Sequence, residues 1–279
     1  MKKKRLFFGL GFAAVFILMI IWVIWANTAL ELNKITVENP KIPQAFDGYI
    51  IAHVSDLHND EIGEGNETII NMLKEANPDI IAMTGDIVDS IKSGEDVAYD
   101  FIKKTAEIAP CYYVTGNHEP RSDEKFAILK DKLNEFGVVF LHNEKVALEL
   151  NQEKITVAGI GGAYTNIDNL DDTLKKLIEG EDNYTILLAH RPDFFDEYVK
   201  SGSDLVLSGH AHGGQFRLPF VGGLYAPGQG FLPEYDSGIY TEGSTSMIVS
   251  RGIGNSAFPI RFNNRPEIIL VELKCKDPS

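Results

Sequence analysis

The sequence predicts an α/β protein in which two packed sheets lie between layers of helices, behind an N-terminal helix that spans a membrane. From Gly48 onward, short apolar runs alternate with amphipathic segments, which is the pattern of an α/β domain. The predicted strands outnumber the predicted helices, and this favours a four-layer α/β/β/α sandwich over a single doubly wound sheet. The first thirty residues contain one long apolar run without charges.

Composition and charge limit the kind of protein. The 279 residues are 44% hydrophobic and 24% charged, as in ordered globular proteins. The net charge is −14 even though residues 2–5 are all basic, so the body repels nucleic-acid phosphates and a nucleic-acid partner is disfavoured. The two cysteines, Cys111 and Cys275, are too few for a disulfide framework or a cysteine-based zinc site.

The first element is the apolar run Leu6–Ala26, which has 21 residues and no charge. At about 1.5 Å per residue it covers the roughly 30 Å hydrocarbon core of a bilayer. The run is longer than a signal-peptide core and lacks a good cleavage motif, so we expect an uncleaved anchor over residues 1–29 rather than a cleaved signal or a buried helix. Trp22 and Trp25 suit the far interface, and the basic residues before the run predict that everything after it is extracytoplasmic.

Residues 30–47 contain two prolines and are predicted to be a short extended tether, and residues 48–279 form one domain without an internal linker. Asn77-Pro78 ends the first helix of this domain, and Ser122 and Gly137 suit the N-cap and the C-terminal stop of the third. The predicted helices are Glu67–Ala76, Glu95–Ile108, Ser122–Phe136 and Leu170–Ile178. The predicted strands are Tyr49–Val54, Asp79–Thr84, Cys111–Thr115, Val138–His142, Val146–Leu150, Ile155–Gly159, Tyr184–Ala189, Leu205–Ser208, Met247–Ser250 and Ile268–Leu273.

Five of these strands are followed at once by histidine, aspartate or asparagine. The endings read S-D-L-H (55–58), T-G-D-I-V-D (84–89), T-G-N-H-E (115–119), A-H-R-P (189–192) and S-G-H-A-H-G-G (208–214), and they hold five of the seven histidines. The carboxyl ends of strands in parallel-rich α/β folds lie together, and ligands bind there. We therefore expect these side chains to converge on one site.

The spacing within the endings suits metal ions. Residues two apart at a strand end point to the same side, so Asp56 and His58 could bind one ion together. His210 and His212 also point roughly together, and two neighbouring ions could each take one of them. Oxygen ligands mixed with imidazoles suit Mn²⁺, Fe or Zn²⁺ better than Ca²⁺ or Cu⁺.

The ordered series D-x-H, G-D-x-x-D, G-N-H-E, H and G-H-x-H resembles the calcineurin-like metallophosphoesterases. The series runs from Asp56 to His212, and the resemblance covers about Gly48 to Leu273. One piece such as G-D is weak, but the ordered set is specific. The stretches S-D-L-H, L-A-H-R-P and S-G-H-A-H-G-G-Q are most similar to membrane-anchored bacterial members of that family.

This resemblance implies a four-layer sandwich and hydrolysis of a phosphodiester or pyrophosphate bond by a metal-bound hydroxide. It implies that Asp56, His58 and His212 hold one divalent ion, that Asn117, His190 and His210 hold a second, and that Asp86 bridges them. His118 is not a ligand in this pattern and helps to expel the leaving oxygen.

Four neighbours of these positions could orient a ligand or contact the substrate phosphate: Asp89, Glu119, Arg191 and Gln215. Each also has a simpler interpretation, since an aspartate can cap a loop, a glutamate can lie in solvent, and an arginine before a proline can pin a loop. His53 and His142 lie on strands without the motif, and we expect packing roles for them. Phe216–Pro233 is rich in glycine and proline, and is either a packed Ω-like loop or an apolar lip for an acyl chain or a bilayer.

The substrate stays open at this point. A phosphomonoester is one alternative, and some relatives hydrolyse the pyrophosphate of a UDP-linked 2,3-diacylglucosamine, so a lipid-linked substrate is another. The acidic body disfavours a nuclease. A catalytically silent, membrane-anchored binding protein is the alternative outside the enzymes, but such a protein would be expected to lack a ligand or His118, and the sequence has them all.

Overall fold

The computed structural model describes residues 2–162, 167–255 and 258–276. The helices are α1 (Lys2–Thr28), α2 (Glu67–Ala76), α3 (Glu95–Ala106), α4 (Asp123–Glu135), α5 (Ile167–Ile178) and α6 (Phe195–Ser201). The strands are β1 (Glu31–Asn39), β2 (Ile50–Val54), β3 (Ile80–Met83), β4 (Cys111–Tyr113), β5 (Val139–Phe140), β6 (Glu144–Leu150), β7 (Glu153–Gly159), β8 (Tyr184–Leu188), β9 (Leu205–Ser208), β10 (Arg217–Leu218), β11 (Gly222–Gly223), β12 (Tyr225–Ala226), β13 (Gly230–Phe231), β14 (Gly238–Glu242), β15 (Thr245–Val249) and β16 (Glu267–Cys275).

Two six-stranded sheets form the body. The first has the order β1-β16-β2-β3-β4-β5, and β2 to β5 are parallel. The second has the order β14-β15-β9-β8-β7-β6, and β7, β8, β9 and β15 are parallel. The parallel centre of each sheet places several strand ends side by side, which is the arrangement that the polar endings in the sequence predicted.

The sheets pack face to face and carry helices on their outer faces. Ile51 and Val114 of the first sheet side meet Ile186 and Leu207 of the second in one buried cluster. A second cluster joins the outer face of the first sheet to α2, α3 and α4, and a third joins the outer face of the second sheet to α5 and α6. The predicted four-layer α/β/β/α sandwich is confirmed.

The helices lie close to their predicted positions because their signals are local. Helix α2 has the predicted bounds, and the Ser122 side chain caps α4 by accepting a hydrogen bond from the Lys125 backbone N–H. Helix α6 and strand β14 were not predicted. Helix α6 has only seven residues, too few for a clear periodic pattern, and β14 is an edge strand with little buried surface.

The segment predicted as a tether is different in the structure. Residues 31–39 form β1, which pairs in parallel with β16 from Glu31–Glu267 to Asn39–Cys275. Val37 of this strand and the following Ile42 and Phe46 are buried between the sheets. Its partner strand lies at the far end of the sequence, so no local pattern marks this pairing, and the segment looked like an extended connection.

Helix α1 is, by its length and composition, able to cross a membrane over Gly9–Thr28. Its last turns contact the body. The Asn27 side chain accepts a hydrogen bond from the Arg261 backbone N–H (2.7 Å) and donates one to the Arg261 carbonyl (3.1 Å). The helix is therefore attached directly to the body and not through a free linker.

Candidate metal centre

The polar residues that follow β2, β3, β4, β8 and β9 converge in one buried cluster. Both sheets present the carboxyl ends of their central parallel strands to this edge. Asp56, His58, Asp86 and His190 are almost inaccessible to solvent. Five strand endings that are far apart in the sequence are thus brought together as the sequence predicted.

The first group consists of Asp56, His58 and His212. The His212 Nε2 atom lies 3.4 Å from Asp56 Oδ1 and 3.1 Å from His58 Nε2. The other His58 nitrogen, Nδ1, is 2.8 Å from Asp89 Oδ2, and this carboxylate fixes the proton on Nδ1. The Nε2 lone pair of His58 therefore faces the other members of the group, where a cation could bind.

The second group consists of Asp86, His190 and His210. The His190 Nε2 atom is 3.2 Å from Asp86 Oδ2 and 3.2 Å from His210 Nδ1. His190 Nδ1 donates to the Thr84 carbonyl at 2.7 Å, because a carbonyl can only accept. Asp86 Oδ2 is also 3.8 Å from His58 Nε2, so Asp86 lies between the two groups.

The Asn117 side chain supplies an independent test of whether a cation fits. Its Oδ1 atom is buried and has no hydrogen-bond partner among the described residues. A buried carboxamide oxygen without a partner is destabilising, and such atoms in native proteins usually have a specific explanation such as an ion. With the carboxylates and imidazoles of the two groups, the donor set fits divalent cations such as Mn²⁺, Fe²⁺ or Zn²⁺.

The backbone of these loops is held in an uncommon conformation. Five predicted ligands have φ between 47° and 65°: Asp56, His58, Asp86, His210 and His212. Left-handed backbone is rare for residues other than glycine and costs on the order of 1–3 kcal/mol where it is held under strain. The surrounding structure thus holds an unfavourable backbone at the positions where side chains must turn inward.

Two glycines allow the loops to approach each other. A Cβ atom on Gly116 would lie 2.2 Å from Asp86 Oδ1, and one on Gly209 would lie 2.2 Å from Asp56 Oδ2. The structure shows that the missing side chain leaves room for a carboxylate from another loop.

Electrostatics distinguish the imidazoles. Burial acts to raise the pKa of Asp86, but the surrounding imidazoles, foremost His190, hold it well below its usual value. Burial acts to lower the pKa of His190, yet Asp86 raises it to about 10. Burial and a neighbouring imidazole lower the pKa values of His210 and His212 well below the ordinary value. A proton between His190 and Asp86 thus occupies a place that a cation could take, and the other two rings are in the neutral form that binds metals.

His118 lies beside the first group. Its Nδ1 atom is 3.2 Å from Asp89 Oδ2 and 3.1 Å from Ser90 Oγ, and its ring meets that of His58 edge-on at 4.7 Å. Asp89 therefore contacts both His58 and His118. It also accepts hydrogen bonds from the Ile91 and Lys92 backbone N–H groups, so its carboxylate contacts both imidazoles and the backbone of its own loop.

The other three predicted neighbours, Glu119, Arg191 and Gln215, contact groups other than the imidazoles. Glu119 is buried and accepts hydrogen bonds from the Tyr113 hydroxyl and the Gly116 N–H, so it holds the loop backbone instead of steering His118 or lying in solvent. Arg191 forms an ion pair with Asp193. The Gln215 side-chain amide donates to the carbonyls of residues 258 and 260, both at 2.9 Å.

Two residues at the site carry no recognisable signal in the sequence. One is Ser90, which contacts His118 as described above. The other is Arg261, a completely buried side chain whose Nη2 lies 3.5 Å from His212 Nδ1. Arg261 comes 49 residues after His212 in a segment without regular structure, so no strand-end pattern marks it. His53 is buried as expected and contacts Thr84 Oγ1 at 2.8 Å, and His142 stacks on Phe140 at the surface.

Comparisons with known proteins agree with this geometry. A family profile for calcineurin-like phosphoesterases matches residues 49–214. The chain is 31% identical over 250 residues to the uncharacterized metallophosphoesterase YkuE of Bacillus subtilis, covering 88% of this chain and 86% of that protein. It is also 31% identical over 202 residues to phosphodiesterase YaeI of Escherichia coli, covering 71% and 72%.

Two further comparisons concern the anchor and the fold. A transmembrane protein with a metallophosphoesterase domain from Danio rerio is 28% identical over 266 residues, covering 89% of this chain and 59% of that protein. Together with α1, this relative indicates membrane anchoring. The crystal structure of TT1561 from Thermus thermophilus shares the fold, with a TM-score of 0.53 at 16% identity over 74% of this chain and 90% of that one. The chain belongs to the calcineurin-like phosphoesterase family, metal-dependent hydrolases that act on phosphoric esters.

Proposed function

We propose that this protein hydrolyses a phosphodiester or pyrophosphate bond at a site that holds two divalent cations of manganese, iron or zinc. The observation that supports this most is the position of Asp86, whose Oδ2 atom lies 3.2 Å from His190 Nε2 and 3.8 Å from His58 Nε2. A carboxylate between two such groups suits a pair of cations that share it. Asp56, His58 and His212 would hold the first cation, Asn117, His190 and His210 the second, and Asp86 both.

When bound, the two cations supply positive charge to the phosphate and make a bound water acidic enough to attack phosphorus. The residues of the chain decide where this happens. Asp89 and the Thr84 carbonyl orient His58 and His190 through Nδ1, so that Nε2 faces the centre. The His118 backbone N–H donates to Asp86 Oδ1 at 2.7 Å and holds that carboxylate in place.

His118 is the proton donor to the leaving group in this proposal. Its Nδ1 atom lies 3.2 Å from Asp89 Oδ2, and this carboxylate orients the ring so that Nε2 can carry the proton that is transferred. As the water oxygen bonds to phosphorus and the water gives up a proton to solvent, the bond from phosphorus to the leaving oxygen breaks, and that oxygen takes the His118 proton. Proton transfer by a positioned side chain typically contributes about 10²–10⁴ in rate.

The protein acts, in this proposal, from the extracytoplasmic side of the cell membrane as a single-pass anchored enzyme. The basic residues 2–5 precede α1, which favours a cytoplasmic N-terminus. A reporter enzyme fused after Ser279 tests the orientation. Activity of a reporter that functions only in the cytoplasm would overturn it.

The proposal is tested with the full chain in detergent, purified without chelator. Hydrolysis of bis-p-nitrophenyl phosphate is measured with added Mn²⁺, with EDTA, and in Asp86→Asn and His118→Asn variants. We expect metal-dependent turnover and about two metals per chain, with turnover lost in Asp86→Asn. The absence of both turnover and bound metal would contradict the proposal, including its assignment of the metal ligands.

The same assay separates the alternative substrates. A preference for p-nitrophenyl phosphate would indicate a phosphomonoesterase. Two bound metals without turnover of either ester would favour a selective, lipid-linked substrate such as a UDP-diacylglucosamine-type pyrophosphate. The complete donor set argues against a silent binding protein, and that alternative would require metal binding without turnover of any phosphate ester.

A further inference from the structure

The attachment of α1 fixes which face of the body lies near the membrane. In addition to the two hydrogen bonds between Asn27 and Arg261, the Trp22 ring meets the Phe262 ring edge-on at 4.9 Å. The Arg265 guanidinium lies 4.8 Å from the centre of the Trp25 ring and donates to the Ala29 carbonyl at 2.7 Å. The segment 261–265 is therefore held at the end of the apolar helix, at the height where tryptophans mark a membrane interface.

Around this attachment the body exposes large apolar side chains, which we call the aromatic rim. The two most exposed are Phe220 and Phe231, with relative exposures of 108% and 84%. Exposed patches of this kind mark interaction surfaces in soluble domains and membrane contacts in anchored ones. The members of the rim are Phe220, Phe231, Leu232, Phe258, Ile260 and Phe262.

Backbone contacts make the rim one continuous surface. Phe216 forms a β-bridge with Phe262, and their rings stack at 6.3 Å. The Leu224 N–H donates to the Phe216 carbonyl at 2.8 Å, and the Leu232 N–H donates to the Leu224 carbonyl at 2.9 Å. Three such steps of about 4.8 Å carry the surface roughly 15 Å from Phe262 to the β12–β13 hairpin. Phe220 lies at the turn of the β10–β11 hairpin, which begins at the first of these steps.

The rim also borders the metal centre. Arg261, which lies between two rim residues, has its Nη2 atom 3.5 Å from His212 Nδ1. Gln215, three residues after His212, donates its side-chain amide to the carbonyls of Phe258 and Ile260. The same short segments thus contact the anchor, carry the exposed apolar side chains and touch a side chain that would hold a cation.

We propose that the aromatic rim rests in the interfacial layer of the membrane that holds α1, and that the site takes its substrate from a lipid headgroup phosphate ester in that leaflet. The first part depends on the anchor contacts and the exposed rim alone. The second part rests on the proposed function, because it names the substrate class of that same hydrolysis.

Membrane contact is tested by fluorescence quenching in the full chain. A Cys275→Ser background leaves Cys111, which is buried, and allows the dye NBD to be attached to Phe220→Cys. The matched control is Ile128→Cys on α4, another exposed apolar side chain. In phosphatidylcholine nanodiscs with doxyl-labelled lipid, we expect blue-shifted emission and strong quenching at position 220, and water-like emission with little quenching at position 128.

Two outcomes would overturn the membrane contact. Quenching at position 220 as weak as that at position 128 would show that the rim lies away from the bilayer. Emission at position 220 that is blue-shifted but insensitive to doxyl lipid would show that protein covers the rim, such as a second copy of the chain.

The substrate class is tested with two esters that share a leaving group, hexadecyl p-nitrophenyl phosphate in nanodiscs and bis-p-nitrophenyl phosphate in water. We expect the double variant Phe220→Ser/Phe231→Ser to lower kcat/KM for the hexadecyl ester by about 10-fold and to leave the soluble ester nearly unchanged. The control is Ile128→Ser/Ile239→Ser, two exposed apolar residues outside the rim.

An equal effect on both esters, or no effect on either, would overturn the lipid substrate. If the unmodified chain with metal bound hydrolysed neither the hexadecyl ester nor the soluble ester, the proposed hydrolysis of phosphodiesters would fail, and with it the lipid headgroup phosphate ester as substrate. The quenching result would still decide the membrane contact, so the two failures are distinguishable.

Discussion

The metal centre and the aromatic rim meet between His212 and Gln215, yet they are built in opposite ways. At the candidate metal centre the side chains are buried, hydrogen bonds fix the tautomers of His58 and His190, and the backbone is left-handed at five predicted ligands. At the rim the backbone is held by hydrogen bonds and the side chains point into the medium. The comparison teaches that contacts inside the protein set the side-chain positions at the candidate metal centre. At the rim, the side chains are free to contact whatever lies outside the protein.

The largest test of this contrast removes the charge that the two metal groups share. Substituting a residue that hydrogen-bonds to a metal ligand typically lowers kcat/KM by roughly 10–100-fold. We expect Asp86→Asn to lower kcat/KM by more than this and to release metal. Activity and metal content per chain are measured together. The matched control is Asp79→Asn at the other end of β3, where the carboxylate accepts a hydrogen bond from the Ile50 N–H. Equal losses in the two variants would contradict a special position for Asp86.

We expect a smaller loss of activity for residues that hydrogen-bond to the predicted ligands or to His118. Asp89 contacts both His58 and His118, whereas the Ser90 side chain contacts His118. We therefore expect Asp89→Asn to cost about 10–100-fold in kcat/KM and to weaken metal affinity. Ser90→Ala should lower kcat and leave metal affinity unchanged. If both variants lost metal equally, the assignment of separate roles to the two imidazoles would be wrong.

The buried region also predicts a pH dependence of stability. Burial lowers the pKa of His53 to about 3, against an ordinary value of 6.5. Below pH 6.5 the unfolded chain binds a proton that the folded chain does not, so stability is lost as the pH falls from 6.5 toward 3. The slope from this one group approaches about 1.4 kcal/mol per pH unit.

We expect a His53→Gln variant to lose less stability on acidification than the unmodified chain. The measurement is the free energy of unfolding in detergent at about pH 7, 6 and 5, with the same metal content. Parallel pH curves for the two proteins would show that His53 takes up its proton without unfolding.

The smallest effect is expected at the rim. Because Phe220 is fully exposed, Phe220→Ser in detergent should change the free energy of unfolding by less than about 0.5 kcal/mol. Phe101→Ala, in the buried cluster beneath α3, should cost about 3–5 kcal/mol. Thermal unfolding of both variants checks the difference. A large loss at Phe220 would mean that the rim is part of the packed core.

The sequence predicted that most side chains of the candidate metal centre lie together, because they occupy the ends of recognisable strands. Asp56, His58 and His210 follow strands whose apolar runs are easily recognised, and the structure places them within a few ångströms of the other predicted ligands. Arg261 was missed because its contact with His212 follows from the path of an irregular segment. A buried arginine there has no spacing rule that would reveal it.

The fold was likewise predictable where the signals are local, and not where an element depends on a distant partner. Helix α2 and strand β9 have their predicted bounds, since caps, prolines and apolar runs are local signals. Strand β1 was not recognised, because its pairing depends on β16 and not on its own residues. The distinction between a tether and an edge strand is a distinction in tertiary contacts, which the residues 31–39 do not carry by themselves.

The pairing of β1 with β16 has a consequence for the order in which the chain can fold. These strands join residues 31–39 to residues 267–275, so almost the whole catalytic body is synthesised between the two partners. Closing so long a loop requires that the last strand be present, and contacts of this kind form late. During synthesis β1 therefore stays unpaired next to the first helix, and the first sheet is completed only when β16 has been synthesised.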